Sequence, residues 1–163
     1  VLLDVDGVLN PAVRSHGYRR FRCSPNGITY KLWLNPGHGP LLRSLAADTH
    51  AELVWASYWC DQANEWISPR IGLPRLPFVP IPSPPLDAGV SLGGWKVRKV
   101  AEWAGAAPFV WFEDEFDVPE LLAEEAGRSG LGEHLLIPVD PFVGLTEEHL
   151  NLAREWLSAL EAA

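Results

Sequence analysis

Val1-Leu2-Leu3-Asp4-Val5-Asp6-Gly7-Val8-Leu9-Asn10 runs from three apolar residues into two aspartates and a glycine, the pattern of a buried strand that stops at a site. Strand side chains alternate, so Asp4 and Asp6 are expected to point the same way. Two neighbouring carboxylates repel, and the remedy is a divalent cation with oxygen ligands or a shared proton. Asp-x-Asp-Gly is also a sequence that simple turns use.

Outward from that stretch, the pattern of an apolar run ending on chemistry recurs. Glu52-Leu53-Val54-Trp55-Ala56-Ser57 reads as a second buried strand closing on a hydroxyl, and Pro108-Phe109-Val110-Trp111-Phe112-Glu113-Asp114-Glu115 as another running into acids. Between them, Gly93-Gly94-Trp95-Lys96 opens a helix with Val97, Val100, Ala101 and Ala104 on one stripe. A lysine at a helix N-terminus opposes the helix dipole, so Lys96 needs a local reason to be there. Lys99 lies almost a turn away and is held in reserve for the same place.

These four stretches, in this order, resemble the motifs of the haloacid dehalogenase (HAD) superfamily of phosphohydrolases and phosphotransferases. The resemblance implies that Asp4 is the nucleophile and Asp6 the general acid/base, and that Ser57 binds phosphoryl oxygens. It implies that Lys96 steadies the nucleophile and that Asp114, with Glu113 beside it, binds Mg²⁺ together with Asp4 and Asp6. Glu115 and Asp117 are alternatives to Asp114, and Asp117 also suits the N-cap of a helix over 118–126. The Trp-Ala-Ser strand and Gly-Trp-Lys helix start are further similar to the HAD domains associated with bacterial RNA repair.

Strands alternating with helices predict a Rossmann-like α/β fold, a mainly parallel sheet with helices on both faces and the site at the carboxyl ends of its strands. A single domain over residues 1–163 is expected from the length, without a large cap. Two segments are left to cover the site. Ser24-Pro25-Asn26-Gly27 separates Tyr18–Cys23 from Ile28–Leu34 as a β-hairpin, making residues 8–40 a flap region. Residues 82–94, rich in Pro, Gly and Ser, are read as a flexible loop.

Pro36 to Pro40 reads as a loop carrying His38, a candidate acid/base or ligand, before a short helix over 41–47. Residues 61–67 read as a helix ended by Pro69 and Gly72, and residues 76–81 as an edge strand punctuated by proline. Leu135 to Val139 is the last strand, and Thr146 caps a final amphipathic helix.

Charge is unevenly spread. Residues 1–45 hold six Lys/Arg against two Asp, and residues 102–163 hold two Arg against fourteen Asp/Glu, within a net charge of −8. That balance excludes an extended basic face for long nucleic-acid tracts but leaves room for a short end. Arg14, Arg19 and Arg20 on the flap, with Lys99, are the candidate substrate-binding cations. Tyr18, Tyr58 and Trp59 are candidates to stack on a base.

The expected activity is therefore Mg²⁺-dependent phosphomonoester hydrolysis through an aspartyl phosphate, on a phosphorylated substrate such as a nucleic-acid or nucleotide end. A small-molecule phosphatase and a non-catalytic HAD-like binding domain are the alternatives. No stretch is apolar enough for a membrane span, and no obligate protein partner is evident. Cys23 and Cys60 lack metal or disulfide spacing and suit reduced thiols in the cytoplasm. The sequence contains no Met and starts within a strand, so an initiator stretch is expected ahead of Val1.

Overall fold

A computed structural model describes residues 1–85 and 89–162. Four strands form a parallel sheet in the order β4-β1-β5-β6: β1 (Leu2–Leu3), β4 (Val54–Trp55), β5 (Phe109–Glu113) and β6 (His134–Pro138). In register, Leu3 lies between Trp55 and Phe112, so the residues that follow β1, β4 and β5 emerge at one edge.

Alternation sorts the apolar side chains onto two faces. Leu3, Trp55, Val110 and Phe112 face α1 (His38–Asp48), α3 (Ser68–Ile71) and α6 (Glu147–Glu161), through Leu42, Leu45, Ile71, Leu150, Ala153 and Leu157. Leu2, Val54, Phe109 and Trp111 face α4 (Leu92–Ala104) and α5 (Val118–Ser129), through Val97, Val100, Val118 and Leu122. This is the expected Rossmann-like arrangement, with helices on both faces.

The hairpin forms from β2 (Arg19–Cys23) and β3 (Tyr30–Leu34), antiparallel with Cys23 opposite Tyr30 and Arg19 opposite Leu34. Asn26 and Gly27 turn the chain with positive φ of 53° and 79°, conformations that asparagine and glycine tolerate best. Cys23, Leu32 and Leu34 are buried on the α1/α6 side, which anchors the hairpin to the sheet. Arg19, Arg20, Arg22 and Lys31 are exposed.

Several boundaries differ from the sequence expectation, each for a packing reason. The first long helix starts at His38 and not at Leu41, because Pro40 sits in the first turn, where its missing N–H is not needed. Gly39 there packs on the Ile71 carbonyl so closely that a Cβ would overlap it.

Pro69 does not end the helix over 61–67. Instead α2 (Gln62–Trp66) breaks at Ile67, and Pro69 starts α3, which Gly72 closes at φ 76°. The Pro-rich run at 76–81 adds only one bridge to the sheet edge, through Trp55 N–H to the Pro77 carbonyl at 2.9 Å and Val79 N–H to the Trp55 carbonyl at 2.8 Å. Prolines have no N–H with which to extend the ladder.

The loop expected over 82–94 ends at Ser91, whose hydroxyl caps α4 by accepting the Gly94 N–H at 3.0 Å. Residues 86–88 of that loop lie outside the described residues. Asp117 holds the cap position of α5 without a capping bond, because its Oδ2 accepts the Ser91 hydroxyl at 2.8 Å. Among the described residues, no helix is long and apolar enough to cross a membrane.

Candidate active site

Asp4 is the first residue past β1 and is 4% exposed. Its Oδ1 accepts the Val5 N–H at 2.8 Å, and its Oδ2 accepts the Lys96 ammonium at 2.9 Å. Lys96 lies early in α4, and the ammonium also donates to both oxygens of Glu113, at 3.0 and 2.8 Å. Glu113 ends β5, and its Oε1 further accepts the N–H groups of Asp114 and Glu115. The dipole problem posed by Lys96 is thereby answered, since two buried carboxylates hold a cation that the helix end alone would not favour.

Asp114 completes the group. One oxygen each from Asp4, Glu113 and Asp114 lies within 4.8 Å of the others. Three carboxylates against the single Lys96 ammonium leave two negative charges in a mostly buried site. Burial, and then the charge of Asp4, raise the Asp114 carboxyl to about 6. The same two causes push Glu113 well above the usual carboxylate range, against the pull of Lys96. Burial disfavours the Lys96 ammonium, but Asp4 and Glu113 outweigh it and hold its pKa above the ordinary lysine value.

Hard oxygen donors with excess negative charge suit Mg²⁺ or a similar cation. Gly7 belongs to the same construction. It has φ 74°, and a side chain on it would overlap the Asp114 carboxylate, so the backbone turns here in contact with the acidic group.

Asp6 does not join these three acids. Regular strand geometry ends at Leu3, so alternation no longer governs where its side chain goes. Its carboxylate is exposed, with Oδ1 accepting the Asn10 amide and Oδ2 the Trp59 indole N–H, both at 2.8 Å. Asn10 in turn accepts the Trp33 N–H at 2.8 Å and ties this loop to the hairpin. Ser57 follows β4 at the same sheet edge and is 1% exposed, its hydroxyl accepting only a long 3.4 Å bond from the Trp59 N–H.

The candidate cations separate. Lys96 is inside the acidic group, whereas Lys99 pairs with Glu102 at 2.7 Å and lies 4.7 Å from the Trp95 ring centre. Arg14, Arg19 and Arg20 are exposed on the flap region, with Arg14 lying 5.7 Å from the Trp33 ring centre. Glu115 and Asp117 are outside the three-acid group.

Tyr18 and His38 are not available to a substrate. Both are buried and their rings meet edge to face at 5.5 Å. Asn64 is a buried bracket: its side chain bonds the Trp55 indole and both the N–H and the carbonyl of Leu76.

The family model for HAD domains in Swiss Army Knife RNA repair proteins matches residues 1–150. The chain belongs to this family. The HAD domain thus spans β1 to the start of α6, and a buried acidic group at the carboxyl edge of its sheet fits the phosphatase-type hydrolases of that kind. No curated protein and no solved structure gives a significant match.

Sequence reasoning missed Asn10 and Tyr30, and it named Trp59 for base stacking without its bond to Asp6. Tyr30 meets Trp59 edge-on, with ring centres 5.7 Å apart. The available signal was an aromatic and an isoleucine, Tyr30 and Ile28, left at the turn end of a hairpin whose other inward positions are buried.

Proposed function

We propose that this HAD domain is a Mg²⁺-dependent phosphomonoesterase that removes a terminal phosphate from a nucleic-acid or nucleotide end. The observation that carries the proposal is the buried Asp4-Lys96-Glu113 chain with Asp114 at its margin. A buried lysine shared by two acids orients the carboxylate it touches, and Asp4 is the one at the end of the central strand β1.

In this scheme an Asp4 oxygen bonds to phosphorus as the bond to the leaving alcohol breaks, and Asp6 gives that alcohol its proton. Asp6 then takes a proton from water, whose oxygen attacks phosphorus and releases Asp4 and inorganic phosphate. The exposed position of Asp6, outside the acidic group, suits a residue that must meet the leaving group and then water. Asp4 and Asp114 would hold Mg²⁺, with Glu113 contributing charge behind them because Lys96 occupies both of its oxygens. Bound there, the cation would neutralise charge on the phosphoryl oxygens.

Ser57 and Lys96 are the candidates to hold those oxygens as well. Arg14, Arg19 and Arg20 would meet neighbouring phosphates, while Lys99 is left out because Glu102 engages it. The nucleic-acid end as substrate is supported by the RNA repair family and by the basic hairpin.

The test is phosphate release from a short RNA carrying a terminal phosphate, with Mg²⁺ and with chelator, for wild type and Asp4→Asn. Release should require Mg²⁺ and vanish in Asp4→Asn, while the variant keeps its melting transition. Wild-type turnover in Asp4→Asn would sink the assignment.

A further inference from the structure

Asp6 stands between two cavities of different character. On one side Asp6 and Asp114 border about 370 Å³ that also holds Lys31 and Trp33. On the other, Asp6 borders about 300 Å³ walled by Tyr30, Tyr58, Trp59 and Ile28, with the amides of Asn26 and Gln62 on its margin. Tyr30 and Lys31 are neighbours on β3, so strand alternation sends one to each cavity. The flap hairpin therefore divides the approach to Asp6 into a charged side and an aromatic side.

We infer that the aromatic cavity is a subsite for the base of the nucleotide that bears the scissile phosphate, which makes the hairpin a specificity element. The inference rests on the phosphatase function proposed above, because a residue that protonates the leaving oxygen must face the leaving group. Asp6 is fixed at this cavity by the Trp59 indole, itself one of the walls.

Three features select a nucleobase. Tyr30 and Trp59 meet edge to face and leave ring surface for a planar group to stack on. No Lys or Arg lines the cavity, so it offers nothing to a second phosphate, and the one charged wall, Asp6, repels anions. The Asn26 amide offers both donors and an acceptor, and the Gln62 amide, whose oxygen accepts the Trp66 indole N–H at 3.2 Å, adds its N–H donors, as the edge of a base requires. The volume lies at the lower end of small-molecule sites, enough for one ring system and not for a run of bases.

The experiment uses RNA dinucleotides carrying a terminal phosphate at either end, each paired with a counterpart whose phosphate-bearing residue is abasic. At the processed end, kcat/KM should favour the base-bearing substrate by roughly ten- to a hundredfold, the size of one stacked base. Tyr30→Ala should bring that ratio down at least fivefold. A general loss of structure would lower both rates and leave the ratio, so the ratio is the deciding readout.

A wild-type ratio near one, or an unchanged ratio in Tyr30→Ala, overturns the inference. Calorimetric binding of the same pairs to Asp4→Asn protein separates the two claims. If wild type hydrolyses neither substrate, the phosphatase proposal fails, and the subsite still stands or falls on whether the base-bearing ligand binds more tightly. Equal binding of the pair overturns the subsite.

Discussion

Lys96→Met removes an ammonium from between two buried carboxylates while keeping a side chain of similar length. Lys96, Asp4 and Glu113 are 2%, 4% and 2% exposed, so water does little to screen the charges left behind. Breaking a buried ion pair by deleting one partner costs roughly 3–5 kcal/mol, and Lys96 serves two partners, which places the expectation at the upper end, about 5 kcal/mol. For a chain of this length that is a fall in melting temperature of roughly 10–20 °C.

The assay is urea and thermal unfolding in chelator at pH 8, for wild type, Lys96→Met, Glu113→Gln and the double variant. Glu113→Gln on the Lys96→Met background should recover about 2 kcal/mol, because the two changes share one interaction and do not add. The deficit of Lys96→Met should also depend on pH in one direction. Burial and Asp4 raise the folded-state pKa of Glu113 above its ordinary value of 4.5, so the folded chain holds that proton more strongly than the unfolded one. Stability then falls as pH rises from about 4.5, and losing Lys96 enlarges this effect, so the deficit is largest at high pH and shrinks in acid. A loss below about 1 kcal/mol at pH 8, or a double variant that loses the sum of the two singles, would refute the account of the buried group.

Gly7→Ala places a methyl against the Asp114 carboxylate at φ 74°, which costs roughly 1–2 kcal/mol in backbone conformation alone. Its Mg²⁺ affinity, titrated by calorimetry, should drop at least tenfold, and an unchanged affinity would separate Gly7 from the proposed Mg²⁺ site. His38 offers a pH test away from the site. Burial, opposed more weakly by a backbone contact from Leu145, lowers its pKa from 6.5 to about 4. The unfolded chain therefore binds the extra proton first, so the stability tied to neutral His38 is present above pH 6.5 and lost as pH falls towards 4, about 3 kcal/mol in all. His38→Phe should flatten the stability profile between those two pH values, and the same acid slope in both proteins would count against it.

The parts of this structure legible in the sequence are those fixed by local period or by local conflict. Leu2 and Leu3 alternate between the two helix layers, and Ser24 to Gly27 forces a turn whatever surrounds it. Lys96 was legible because a lysine at a helix start is a conflict, and a conflict asks for partners. Its partners come from β1 and β5, elements separately readable as strands that end on acids.

What escaped was set by contacts between segments distant in sequence. His38 looked like a loop residue between glycines, and it entered a helix whose first turn packs Gly39 against the Ile71 carbonyl. Asn64 lies in the helix expected over 61–67, but its bonds to Trp55 and Leu76 follow no local pattern. Asp6 shows the limit most clearly. Its place after Asp4 was readable, but alternation stops at Leu3, and the direction of its carboxylate is set by Asn10 and Trp59. The residues proposed to act on the phosphoryl group, Asp4 and Asp114, follow strand ends and are found by pattern. Tyr30 and Trp59, proposed to choose the leaving group, meet where the hairpin folds over the loop after Ser57, a contact with no period of its own.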